Sequence, residues 1–301
     1  MIDPQIRDDG AVAVILGSAF SEHPPRGVEL TPLLIDTPWG EVEVHRVDLP
    51  QLRRPAYLLF RHGLPHQRYP QQINFRAQAV ALKKLNCRAL LVTSSVGVLD
   101  HTLPLDQPLL VSDLLMPDHR LPDGSLCTAL TDLPRPLNAH SKLTAPLRPG
   151  HLVLQGPLCA PQLDDQVSSI VNECGAQLGP AVTFSYVAGP RTKTAAENRY
   201  WLMLGAQVNS MSVGPELILA NELEIPTSAL VIGHKYSHVE PRTDVKTTLE
   251  TSSGPHTHNA GHREMSDTLK RSHHALEKIV VTFLSRAQPV EFPHYIFRYS
   301  T

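Results

Sequence analysis

Apolar residues occur in short blocks set between polar and turn residues, and their spacing sorts the blocks into strands and helices. The continuous run AVAVILG (11–17) ends in Gly-Ser and predicts a buried strand feeding a loop. Alternation over 41–48 and the apolar run PAYLLF (55–60) predict two more strands. Residues 73–86 carry apolar positions at helical spacing and close on Lys-Lys-Leu-Asn, as helix C-termini do. CRALLVT (87–93) is a further buried strand with SSVGVLD as a following loop, and PLLVSD (108–113) and HLVLQG (151–156) repeat the strand signal.

Helices are predicted over 164–179, 194–206, 215–224 and 266–287, with strands over 181–190 and 226–233. Residues 114–150 are rich in Pro, Asp, Leu and Ser, with little periodicity, and read as a long surface excursion or lid. Strands alternating with helices imply an α/β domain with helices on both faces of a largely parallel sheet. No repeat or linker divides the chain, so residues 1–301 are expected to form one domain.

Composition narrows the function. A formal net charge of −2 gives no electrostatic case for nucleic acid or an acidic membrane surface. No run approaches the length of a membrane span, and MIDPQIRDDGAVAVILG lacks the basic start of a signal peptide, so a cytoplasmic location is expected. Four dispersed cysteines without a CxxC pair read as reduced, mostly buried thiols, and no zinc site is expected. Sixteen histidines include HTHNAGH (256–262) and the pair at 273 and 274, read as a solvated loop and an exposed helix face rather than metal ligands.

Candidate chemistry sits at four strand ends, in GSAF from 17, RHGLPH from 61, TSSVG from 93 and NSMS from 209. An arginine after a buried strand must find an anion or reach solvent. Ser18, Arg61, Ser94 and Ser212 together supply the guanidinium and short hydroxyl donors that grip a tetrahedral oxyanion such as phosphate. There is no Walker loop and no GxGxxG, so nucleoside triphosphates and dinucleotides lack their main support.

With VILGS (14–18), DTPWG (36–40), residues 61–87, VTSSVGVL (92–99), GPRTKTAAE (189–197), MSVGPELILANEL (211–223) and the segment from His262, the chain resembles the trimeric purine nucleoside phosphorylases, above all their methylthioadenosine and methylthioinosine branch. The resemblance implies a three-layer α/β/α sandwich around a mixed, partly barrel-like central sheet, assembled as a homotrimer. It implies a nucleoside and inorganic phosphate as substrates and no cofactor. It places Ser18, Arg61, His62, Ser94, Ser95 and Ser212 around phosphate, Met211, His66 and His262 around ribose, and Thr192, Lys193, Glu197 and His234 at the base. Glu197 is there a supporting residue, with a helix N-terminal carboxylate as its simpler reading.

Three positions depart from the family pattern. Thr192 and Lys193 stand where 6-oxopurine members carry Phe and Glu, and His234 stands where the family has Asn or Asp. GSAF also lacks the second glycine of the usual phosphate loop. Either the base site is rebuilt, with Lys193 stabilising an exocyclic oxygen and His234 protonating the leaving nitrogen, or the protein is a catalytically altered or silent nucleoside- or phosphate-binding relative. As a residue of a loop at a strand end, Arg61 is expected to lie outside the core, so that its removal would spare the fold.

Overall fold

The computed structural model describes residues 10–20, 23–130, 149–239 and 258–298, with side chains of the last segment described from 271 onward. Among these residues nine strands form one mixed sheet: β1 (Ala11–Leu16), β2 (Glu29–Ile35), β3 (Val42–Asp48), β4 (Ala56–Phe60), β5 (Cys87–Val98), β6 (Pro108–Leu115), β8 (Val182–Tyr186), β9 (Val208–Ser210) and β10 (Thr227–Tyr236). A separate pair joins β7 (His151–Val153) to β11 (Tyr295–Phe297). The helices are α1 (Phe75–Lys84), α2 (Pro161–Glu173), α3 (Ala195–Met203), α4 (Gly214–Glu222) and α5 (His258–Arg286).

The strand order is β10-β6-β8-β9-β5-β1-β4-β3-β2, and β10 also pairs with β5. That last pairing closes β5, β10, β6, β8 and β9 into a five-stranded barrel, while β1, β4, β3 and β2 extend from it as an open sheet. Strand β5 belongs to both. Residues Cys87 to Val92 pair with β1 along one edge, and Gly97 and Val98 pair with β9 along the same edge. Between them, at residues 93–96, that edge has no strand partner among the described residues. The gap is where the cleft opens.

Period-two alternation divides the core into two layers. On β1, Ala11, Ala13 and Ile15 face one apolar cluster, and Val12, Val14 and Leu16 face the other. The first cluster includes Phe75, Val80 and Leu82 of α1 with Leu217 and Leu219 of α4. The second includes Leu163 and Val167 of α2 with Ile279, Val280 and Phe283 of α5. The sheet therefore lies between helical layers, and each fully buried Leu or Phe contributes about 1.5–3 kcal/mol. The cysteines are unpaired, with Cys87, Cys127 and Cys159 buried and Cys174 half-buried.

The structure corrects the expected elements in several places. SSVGVLD is no loop up to Val98, because β5 continues through it in register with β10, Ser94 opposite Val231 and Ser95 opposite Ile232. Polar Ser and Gly hid a strand whose side chains line a cavity instead of a core. Strand β2 was not anticipated, because it mixes exposed and half-buried positions; β9, whose end at NSMS was, is only three residues long. The sheet is mixed, with β2–β3, β3–β4, β6–β10 and β5–β9 antiparallel. Of the expected excursion over 114–150, residues 114–115 end β6, 116–130 form turns with a bridge between Arg120 and Leu126, and 131–148 lie outside the described residues.

Candidate active site

A cleft of about 720 Å³ lies where β5 changes neighbours, walled by the C-terminal ends of β4, β5, β9 and β10 and by the start of α3. It gathers side chains far apart in the chain, among them Ser18, Arg61, Ser94, Met211, Lys193 and His234.

Arg61 follows β4 directly and is 1% exposed. Its Nε and Nη2 donate to Glu216 Oε1 and Oε2, each at 2.7 Å, and Nη1 donates to the Thr93 carbonyl at 2.7 Å. The expectation that Arg61 lies outside the core is therefore overturned: it is buried, and a buried carboxylate neutralises it. Three of the five N–H bonds of the guanidinium are engaged, which leaves one on each Nη for a ligand. Gly17 is needed here, because a Cβ at that position would come within 2.7 Å of Arg61 Nη1.

Glu216 went unrecognised in the sequence, although Pro215 followed by Glu216 is a helix-start signature. Its Oε2 also accepts from the Val213 amide at 2.9 Å. Val213 has φ 65° and ψ −56°, and the Gly214 amide donates to the Ser212 carbonyl at 2.7 Å, a strained γ-turn for a β-branched residue. Glu216 thus locks both Arg61 and the turn that presents Ser212 at the N-terminus of α4, the end of a helix that favours anions.

Three hydroxyls meet beside Arg61. Ser94 Oγ lies 3.0 Å from Ser212 Oγ, and Ser210 Oγ lies 3.0 Å from Ser212 Oγ. Ser94 and Ser210 are 3.4 Å apart. Ser210 was not singled out in the sequence, because its position beside Met211 and Ser212 looked like an ordinary loop. Ser95 and the exposed Ser18 also line the cleft. Of the 273–274 pair expected on an exposed face, His274 is exposed, whereas His273 is half-buried: it packs on Phe20 with ring centroids 4.7 Å apart and contacts the Ala19 carbonyl at 2.5 Å, bracing the turn that carries Ser18.

His62 lines the cleft with Nδ1 2.8 Å from the Arg68 carbonyl. A carbonyl only accepts, so Nδ1 carries the proton and the neutral ring keeps an acceptor at Nε2. Burial, with the Arg61 cation second, pushes the His62 pKa down to about 4. The folded protein thus resists protonating His62 while the unfolded chain protonates near 6.5. This contribution to stability is intact above pH 6.5 and is lost as the pH falls toward 4. In denaturant titrations over that window, His62→Gln is expected to show a shallower pH dependence than the parent; equal slopes would exclude His62 as the cause.

Met211 is half-buried in the cleft wall, and Gly189 makes room for it, since a Cβ there would lie 2.9 Å from Met211 Sδ. Thr192 and Lys193 lead into α3 and line the same cleft. Burial holds the Lys193 pKa below the usual lysine range; Lys235 adds to the shift and Glu197 opposes it. His234, near the end of β10, has Nδ1 2.8 Å from Asp106 Oδ1, and Ser272 Oγ donates to the same oxygen at 3.2 Å. An imidazole so held directs Nε2 away from its carboxylate partner, a geometry suited to proton transfer.

Two other candidates lie outside the cleft wall. Glu197 forms a capping box with Thr194 and pairs with Arg191 at 2.6 and 2.8 Å, so it reaches the cleft only through its field on Lys193. Its carboxylate pKa is drawn down to about 2 by the Arg191 hydrogen bonds first and by the Thr194 amide next. His66 is exposed, with Nε2 2.9 Å from the Arg68 carbonyl and its ring 4.6 Å from that of His62. The side chain of His262 falls outside the described residues.

Residues 11–285 match the model of the phosphorylase superfamily. The chain is 28% identical over 226 residues to the 6-oxopurine nucleoside phosphorylase of Pyrococcus furiosus, covering 75% of this chain and 79% of that protein. It is 28% identical over 239 residues to an S-methyl-5'-thioadenosine phosphorylase of Phaeosphaeria nodorum, covering 75% and 62%. Its fold is similar to that of a methylthioadenosine phosphorylase sourced from an antarctic soil metagenomic library, with TM-score 0.66 and 19% identity, over 95% of this chain and 90% of that one.

Proposed function

The chain belongs to the phosphorylase superfamily, and from that premise we propose that it uses inorganic phosphate to cleave the N-glycosidic bond of a purine-type nucleoside, releasing the base and a pentose 1-phosphate. One observation carries the reading. Three serine hydroxyls, two N–H groups of Arg61 and the N-terminus of α4 border the same cleft as Lys193 and His234, whose Nδ1 meets Asp106. The reading assigns the anion to the hydroxyls and Arg61, the leaving base to Lys193 and His234, and the sugar to the space beside Met211.

The chemistry follows from charge. As the base departs, the anomeric carbon becomes oxocarbenium-like, and a phosphate dianion held against it stabilises that charge and then bonds to the same carbon. The Arg61–Glu216 pair is neutral as a unit, so the cradle binds phosphate through oriented dipoles and hydroxyls rather than a free cation. The hydroxyls adapt to either role, and the Nε2 lone pair of His62 accepts the remaining phosphate O–H. The departing base gathers negative charge. Protonated at both nitrogens, His234 gives its Nε2 proton to the departing ring nitrogen, and Asp106 holds the ring in place. Lys193 offsets charge on an exocyclic oxygen.

The test is phosphate-dependent base release across purine and pyrimidine nucleosides, including 5'-methylthio forms. Release that needs phosphate and yields a pentose 1-phosphate supports the reading, and phosphate-independent release would overturn it. The half-burial of Lys193, where the family pattern has an acidic residue, favours a second reading: binding without turnover. Its signature is thermal stabilisation by phosphate and nucleoside with no product. A homotrimer and a single domain complete the proposal, and sedimentation tests the first.

A further inference from the structure

Among the described residues, two amides in the cleft wall have buried polar atoms without partners. Asn209, on β9, is 0% exposed, and neither its Oδ1 nor its Nδ2 meets a hydrogen-bonding group of those residues. Asn198, on α3, donates through Nδ2 to the His238 carbonyl at 2.8 Å, while its Oδ1 has no partner. A buried polar atom left unmatched is destabilising, so an apolar residue of similar volume at position 209 would serve the empty protein better. The two residues come from different elements and border the same cleft. Gly97, opposite Asn209 in the β5–β9 ladder, lets the Asn209 and Ser237 side chains approach its backbone: a Cβ there would lie 3.1 Å from Asn209 Oδ1 and 2.7 Å from Ser237 Oγ.

We propose that Asn209 determines specificity in this cleft by reading an –NH–C(=O)– edge on the leaving base, with Oδ1 accepting from the ring N–H and Nδ2 donating to the oxo group. The inference rests on the phosphorylase reading and names its substrate class: nucleosides of oxo bases in preference to amino bases. An amide alone pairs with either edge by turning over. The neighbours break the tie. Lys193, Lys235 and Ser237 bring donors to this end of the cleft, and its described wall holds no carboxylate. An oxo group therefore finds donors and cations, including Lys193 for the charge that grows on it, whereas an exocyclic amine finds few acceptors. Asn198 Oδ1 is a second acceptor for ring N–H.

The experiment compares the full-length parent with Asn209→Leu, and with Asn209→Val should the first fail to fold. Melting temperature, stabilisation by inorganic phosphate, and kcat/KM for inosine and adenosine with and without a 5'-methylthio group are measured. The expected result is a melting temperature equal to or above the parent's, because an unmatched amide is gone, with unchanged phosphate stabilisation. The oxo-to-amino ratio of kcat/KM falls at least ten-fold, through loss on the oxo substrates. A parent that prefers amino nucleosides, or a variant that keeps the parent's ratio, overturns the proposal.

Should the parent release no base at all, the phosphorylase reading fails on its own, and the free bases hypoxanthine and adenine become the probes. Stabilisation of the parent by hypoxanthine that is lost in the variant then supports the role of Asn209. An equal response to both bases, or none, overturns it.

Discussion

Arg61→Ala is expected to cost about 3–5 kcal/mol of stability, because it strands Glu216 as an unpaired carboxylate in a buried site. Glu216 has a side chain only 2% exposed and takes both of its guanidinium contacts from Arg61. The loss should appear as a lower denaturant midpoint with little change in slope. Stability and anion binding separate in the double variant Arg61→Met with Glu216→Leu. Removing both charges recovers most of the stability, as replacing a buried ion pair by apolar residues commonly does. Phosphate should then no longer raise the melting temperature. A double variant as unstable as the single one would overturn the stranded-charge account, and one that phosphate still stabilises would remove the pair from anion binding.

His234→Ala is expected to lower kcat by about 10²–10⁴-fold, the range for a lost general acid, with phosphate KM little changed. Asp106→Asn should produce a smaller fall, because His234 then loses the carboxylate that holds its ring 2.8 Å away. The decisive readout is the leaving group. A nucleoside whose purine N7 is already alkylated departs as a neutral base and needs no proton, so both variants should cleave it at near-parental rates. Equal damage on ordinary and alkylated substrates would remove His234 from the role of acid and leave it a wall residue.

How much was legible beforehand varies with the kind of residue. The helix over 73–86 was readable because its apolar residues recur at helical spacing and its last turn carries Lys83 and Lys84 where the dipole favours cations, although residues 75–82 are buried on every face. The end of β5 was not, because Ser94, Ser95 and Gly97 mimic a loop when a strand's side chains line a cavity. Ser18, Arg61, His62, Ser94, Ser95, Ser212, Met211, Thr192, Lys193 and His234 do line one cleft. Asp106, Asn209, Ser210 and Glu216 escaped notice, since their importance lies in partners, or missing partners, remote in the chain. Arg61 and Glu216 stand 155 residues apart, and His234 and Asp106 stand 128 apart.

The sequence by itself determined the alternating strands and helices, the two-sided burial of the sheet and the residue types able to grip an oxyanion, because periodicity and turn chemistry are local properties. The tertiary structure alone decided that β5 closes a barrel through β10, that Arg61 is neutralised by Glu216, and that the amides of Asn198 and Asn209 face the cleft wall unmatched. Strand pairing, burial and hydrogen-bond satisfaction depend on which distant segments meet, and no local pattern encodes that.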